Sequence, residues 1–125
     1  MLAGLDPASN FKAIVSGGTP TDLTVWPNAR LVKQFLGSKI EEKPELWKQA
    51  SPLFNIGESS PPVFMYHGKW DKIVELAQME KMQAALQAKK RIVETFTTDF
   101  LSHITVYLFS RESILRGIDF LNRQL

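Results

Sequence analysis

Pro62-Val63-Phe64-Met65-Tyr66-His67-Gly68-Lys69-Trp70-Asp71 is the stretch that decides the fold. Pro61-Pro62 and Gly68 bracket a run that is nearly continuous in apolar residues. A strand with one solvated face would alternate polar and apolar residues. An unbroken apolar run instead indicates a strand covered on both sides, as in a parallel sheet flanked by helices. The run ends on His67-Gly68, and an acid, Asp71, follows three residues after the glycine.

Downstream, Leu76, Met79, Met82 and Leu86 recur at spacings of three, three and four, which predicts a helix over about Val74–Lys89 with these residues on one face. A short β-prone run follows, Arg91–Thr97. Strand, helix and strand in that order make a crossover unit, expected to be right-handed. A last helix is predicted over about Ser110–Asn122, with Ser110 as N-cap and Ile114, Ile118, Leu121 and Leu125 sharing a face. Glu112 with Arg116, and Asp119 with Arg123, fall four apart as supportive pairs on its exposed side.

Upstream, Phe11–Ser16 reads as another short strand, stopped by Gly17-Gly18. Residues 20–60 differ in character: Pro20, Pro27, Pro44 and Pro52 interrupt two short helical patterns, Asn28–Leu36 and Pro44–Ala50. This segment reads as an insertion of short helices between two strands, of the kind that often covers a site. The expected architecture is therefore α/β: a three-stranded parallel sheet with crossover helices and a short helical insertion. Residues 1–125 are expected to form one partial domain. Met1–Leu5 resembles the last turn of a helix, and three strands make a thin sheet, so the chain is expected to begin partway through a larger fold.

In open parallel sheets, functional groups gather beyond the carboxyl ends of the strands. Asp71 follows one strand and His103 lies in the loop after its neighbour, so the two can meet. An aspartate in that place fixes the tautomer of the histidine and stabilises its imidazolium form. The histidine then works as a general base, a role suited to a side chain that titrates near neutrality. Asp71 also suits the N-cap of a helix beginning near Lys72, and the two roles are compatible.

His67-Gly68-Lys69-Trp70-Asp71 resembles the His-Gly-x-x-Asp element of the α/β-hydrolase family, in its esterase/lipase and dipeptidyl-peptidase-like branches. Met79–Leu86 resembles the helix that follows that element, and Ser102-His103 matches the family's histidine before the final helix. Ala13–Gly18 with Thr21-Asp22-Leu23 is similar to the preceding strand and its exit loop. The resemblance covers essentially all of this chain but only the C-terminal half of the family's domain. It implies a serine hydrolase of carboxylic esters or peptides that needs no cofactor, with Asp71 and His103 as the acid and base of a Ser-His-Asp triad. Two departures stand out. Family members often carry glycine beside the histidine, where this chain has Ser102 and Ile104. No Gly-x-Ser-x-Gly nucleophile elbow occurs anywhere, so the serine and the oxyanion hole are expected outside this chain, which alone is expected to be inactive.

Composition narrows the rest. Hydrophobic residues are 44%, with eight Phe and three Trp, enough for a packed core. The net charge of +2 is scattered, and the densest cluster, Lys89-Lys90-Arg91, suits a helix C-terminus rather than a nucleic-acid surface. No apolar run approaches the roughly 20 residues of a membrane span. There is no cysteine, which removes disulfides and thiolate chemistry and fits a cytoplasmic protein. The histidines and acids show no metal-ligand spacing. His67 reads as a structural residue at a strand end, and Asp22 as a turn anchor. Trp26, Phe35, Trp47 and Phe54 are open between an acyl pocket and the core of the insertion. Two rival readings complete the set: a truncated, non-catalytic α/β binding or scaffold module, and a chain completed by a second copy or a complementing chain at an exposed sheet edge.

Overall fold

The three expected strand segments form three parallel strands. In a computed structural model describing residues 1–125, β1 spans Ile14–Gly17, β2 Val63–Gly68 and β3 Val93–Thr98. They make one sheet in the order β1-β2-β3, with Ile14 opposite Val63 and Val63 opposite Val93. β2 lies at the centre and is buried except at Tyr66, which explains its apolar sequence. β1 starts later than Phe11, which is exposed. The Ile14 amide donates to the Pro62 carbonyl, and Pro62 has no N–H with which to continue the ladder upstream.

Six helices accompany the sheet: α1 Leu2–Leu5, α2 Arg30–Leu36, α3 Pro44–Gln49, α4 Leu76–Ala88, α5 His103–Phe109 and α6 Arg111–Gln124. Between residues 20 and 60 the chain forms only α2, α3 and two 3₁₀ turns, Leu23–Val25 and Pro52–Phe54. Asp22 caps the first of these turns through Thr24, as its turn-anchor reading requires. Trp47 is fully buried, whereas Phe35 and Phe54 are exposed.

The main core combines Ile14, Val63 and Met65 of the sheet with Met79, Met82 and Leu86 of α4, plus Leu5 and Ile56. Removing a side chain such as Leu86 from water contributes roughly 1.5–3 kcal/mol. On α6 the expected stripe is wrong. Ile114 is 50% exposed and Ile118 49%, while Ser113, Gly117 and Phe120 face inward. The reason is close approach: a Cβ on Gly117 would stand 3.0 Å from Val15 Cγ1. Small residues thus let α6 lie against the strands, and Phe120 packs on Phe64 at 5.8 Å between ring centroids. Both expected ion pairs on its outer side form, Arg116–Glu112 at 2.6 Å and Arg123–Asp119 at 3.1 Å. No helix is long and apolar enough to cross a membrane.

Candidate active site

Asp71 and His103 meet beyond the carboxyl ends of β2 and β3. Their loops are stitched together by backbone: the Lys69 amide donates to Thr98 O at 3.0 Å, and the Trp70 amide to Leu101 O at 3.2 Å. Lys69 also pairs with Asp99 at 2.6 Å. Gly68 permits this closeness, because a Cβ there would overlap the Leu101 carbonyl.

The Asp71 side chain is completely buried, and that of His103 is 25% exposed. Asp71 Oδ1 accepts from the Ile73 amide at 2.9 Å and the Val74 amide at 2.8 Å. Its Oδ2 lies 2.7 Å from His103 Nδ1. A carboxylate oxygen accepts, so the His103 proton sits on Nδ1 and the neutral ring keeps its Nε2 lone pair free. The cap expected for a helix beginning near Lys72 does not form. Asp71 closes a side-chain turn over residues 71–74 instead, and α4 starts only at Leu76.

His103 is not in a loop, as expected, but is the first residue of α5, with Ser102 as N-cap. Ser102 and Thr105 form a reciprocal capping box, the Thr105 hydroxyl accepting from the Ser102 amide at 2.7 Å. Ser102 in place of glycine therefore has a local purpose: it starts the helix that carries the imidazole.

Two side chains that shape this end of the sheet and its loops escape the sequence reading. Tyr107, one turn beyond His103 on α5, sets its ring edge-on to the imidazole at 5.8 Å and donates its hydroxyl hydrogen bond to Gly17 O at the end of β1. Burial first, then the neighbouring Tyr66 and Asp71, raises the pKa of its phenol above the ordinary tyrosine value. Burial does the same to Tyr66. Gln78 is the other: its Oε1 accepts from the Thr21 and Asp22 amides at 2.9 and 2.7 Å, clamping the exit loop of β1 to α4. A four-residue spacing from the histidine is the available signal for Tyr107; a polar residue on the apolar face of α4 is the signal for Gln78.

An open cavity of about 740 Å³ adjoins the pair, its lining including Trp70, Asp71, Ile73, Phe100, His103 and Ile104. Trp70 and Phe100 meet edge to face at 5.1 Å. No group of three or more histidines and acids stands close enough to hold a metal ion.

The BD-FAE family model matches residues 3–86, more than half of the sequence. The chain belongs to the BD-FAE family. The α/β-hydrolase fold of this BD-FAE chain recurs in solved structures. A truncated carbohydrate esterase from gut microbiota superposes with a TM-score of 0.80 at 18% identity, over 93% of this chain and 43% of that one. An acetyl ester-xyloside bifunctional hydrolase from Caldicellulosiruptor lactoaceticus gives a TM-score of 0.76 at 18% identity, over 97% and 51%. A puromycin-hydrolyzing peptidase from Mycobacterium tuberculosis gives 0.65 at 27% identity, over 82% and 16%. The chain thus spans about half or less of each of these structures. No curated protein matches it.

Proposed function

We propose that this chain contributes the acid and base of a serine hydrolase acting on carboxylic esters, with peptides as a second substrate class. The observation that carries the reading is the 2.7 Å contact between His103 Nδ1 and Asp71 Oδ2, made at the carboxyl ends of parallel strands with the carboxylate buried. In that arrangement Asp71 holds the ring in one tautomer, and His103 Nε2 takes the proton of a serine hydroxyl as it attacks the carbonyl. The same nitrogen returns the proton to the leaving group. The serine and the oxyanion donors must come from outside these residues, because the sequence has no Gly-x-Ser-x-Gly. The cavity beside the pair suits a small organic acyl or leaving group.

The outer edge of β1 supports a completing partner. The Ile14 and Gly18 amides bond to β2, so the alternating backbone groups of Val15 and the Gly17 N–H turn to the free side, the Gly17 carbonyl being taken by the Tyr107 hydroxyl. A second copy or a complementing chain would pair there. The cysteine-free composition is the one support for a cytoplasmic location.

The test compares the chain alone with the chain joined to the polypeptide encoded upstream of Met1. Alone, it should not react with a fluorophosphonate probe. Joined to a segment bearing the serine elbow, it should label and hydrolyse p-nitrophenyl acetate, and His103→Ala should lower that rate by roughly 10³-fold or more. Undiminished hydrolysis in His103→Ala, or an upstream frame without an elbow, removes the reading in favour of the binding module.

A further inference from the structure

One buried titratable group near the site is left unused by the acid–base pair. His67, the penultimate residue of β2, is 1% exposed. Its Nε2 stands 2.7 Å from the Val74 carbonyl and 3.4 Å from Asp71 Oδ2. A carbonyl only accepts, so the proton of His67 sits on Nε2, and the same edge of the ring presents that N–H to the carboxylate.

Val74 is therefore gripped twice. Its N–H is held by Asp71 Oδ1 and its C=O by His67 Nε2, at 2.8 and 2.7 Å. Asp71, Val74 and His67 close a ring that joins the 71–74 turn to the end of the central strand. His67 also covers the flank of Oδ2 that His103 does not use. A histidine that merely filled space would need neither relationship to the carboxylate.

We infer that His67 is a positioning residue: it pins the turn so that Asp71 Oδ2 stays aimed at His103 Nδ1. The inference rests on the pairing of Asp71 with His103 described under the proposed function, but not on the serine, so it is testable on the 125-residue chain itself.

The experiment is proton NMR on the ¹⁵N-labelled chain. A histidine Nδ1–H held on a carboxylate resonates downfield of the amides, and the signal is assigned by its loss in Asp71→Asn and His103→Ala. It should be present in the parent chain and broadened beyond detection in His67→Leu. It should return in His67→Gln, whose amide N–H reaches the place of Nε2. An unchanged signal in a folded His67→Leu chain overturns the inference and leaves the Asp71–His103 pair intact. No downfield signal in the parent chain removes the pair itself, and the inference with it. Should His67→Leu fail to fold, His67→Gln is compared with His67→Asn, whose shorter amide falls short of both acceptors; equal signals in the two overturn the inference.

Discussion

Replacing Asp71 by asparagine and by alanine separates its two structural duties. Oδ1 serves the turn through the Ile73 and Val74 amides, and Oδ2 serves His103. Asp71→Asn keeps a carbonyl oxygen for the two amides, but the new NH₂ then faces the Nδ1–H of His103. The imidazole is expected to switch tautomer while the turn survives. Asp71→Ala removes both functions. An unpaired buried N–H costs about 1–3 kcal/mol. The Val74 amide is buried and the Ile73 amide half-buried, so the former takes the larger part of that range. Asp71→Ala should accordingly be about 2–4 kcal/mol less stable than Asp71→Asn, from two such amides. With a urea m-value of about 1.5 kcal/mol/M, the two unfolding midpoints should lie ~1–3 M apart. Coincident midpoints would mean that the amides find other partners and that Asp71 does not hold the turn. Taking the difference between the two variants cancels the cost of burying the charge, which is absent from both.

Two further outcomes are expected. The chain has only two tyrosines, and both have raised pKa values, Tyr66 by burial and Tyr107 by burial with help from Tyr66 and Asp71. A phenol whose folded pKa exceeds its unfolded one contributes stability that is complete below about pH 10 and is lost as pH climbs through the folded value. Tyrosinate absorbance in the folded chain should therefore rise only above about pH 10, and Tyr107→Phe should remove one of two late steps. A midpoint at the ordinary tyrosine value for both refutes the burial argument. Separately, the free edge of β1 should drive self-association, seen as a mass that rises with concentration in light scattering; a constant monomer mass at high concentration counts against an open edge.

Much of this arrangement is legible in the residues because it depends on local rules. An unbroken apolar run implies a strand covered on both sides, and β2 is one. Acid and base following adjacent parallel strands must lie at the same rim, and Asp71 and His103 touch there. The misplaced details depend on contacts distant in sequence or on competing local patterns. The start of β1 is set by the proline just before its partner strand, and the start of α5 by a capping box that draws less notice than the histidine beside it. Asp71 reads as a helix cap because an acid before Lys72 fits that pattern. The actual helix start is displaced to Leu76 by the turn that the carboxylate itself closes.

The misread face of α6 is the most instructive case. Hydrophobic periodicity assigns burial to the longest row of apolar side chains three and four apart, which here is Ile114, Ile118, Leu121 and Leu125. A helix gains packing area in another way, by shedding bulk from one stripe so that its backbone comes closer to the sheet. Ser113 and Gly117 do this, and Phe120 then reaches Phe64. Ile114 and Ile118 are left half-exposed and Leu125 at 88% exposure. Close seating of α6 bears on the site, because Ser110 both ends α5 and caps α6 through the Ser113 amide. The depth at which α6 sits on β1 and β2 therefore bears on where the far end of α5 lies, the helix whose first residue is His103. A bulky side chain at Gly117 would lift α6, carry α5 with it, and draw the imidazole away from the carboxylate that orients it.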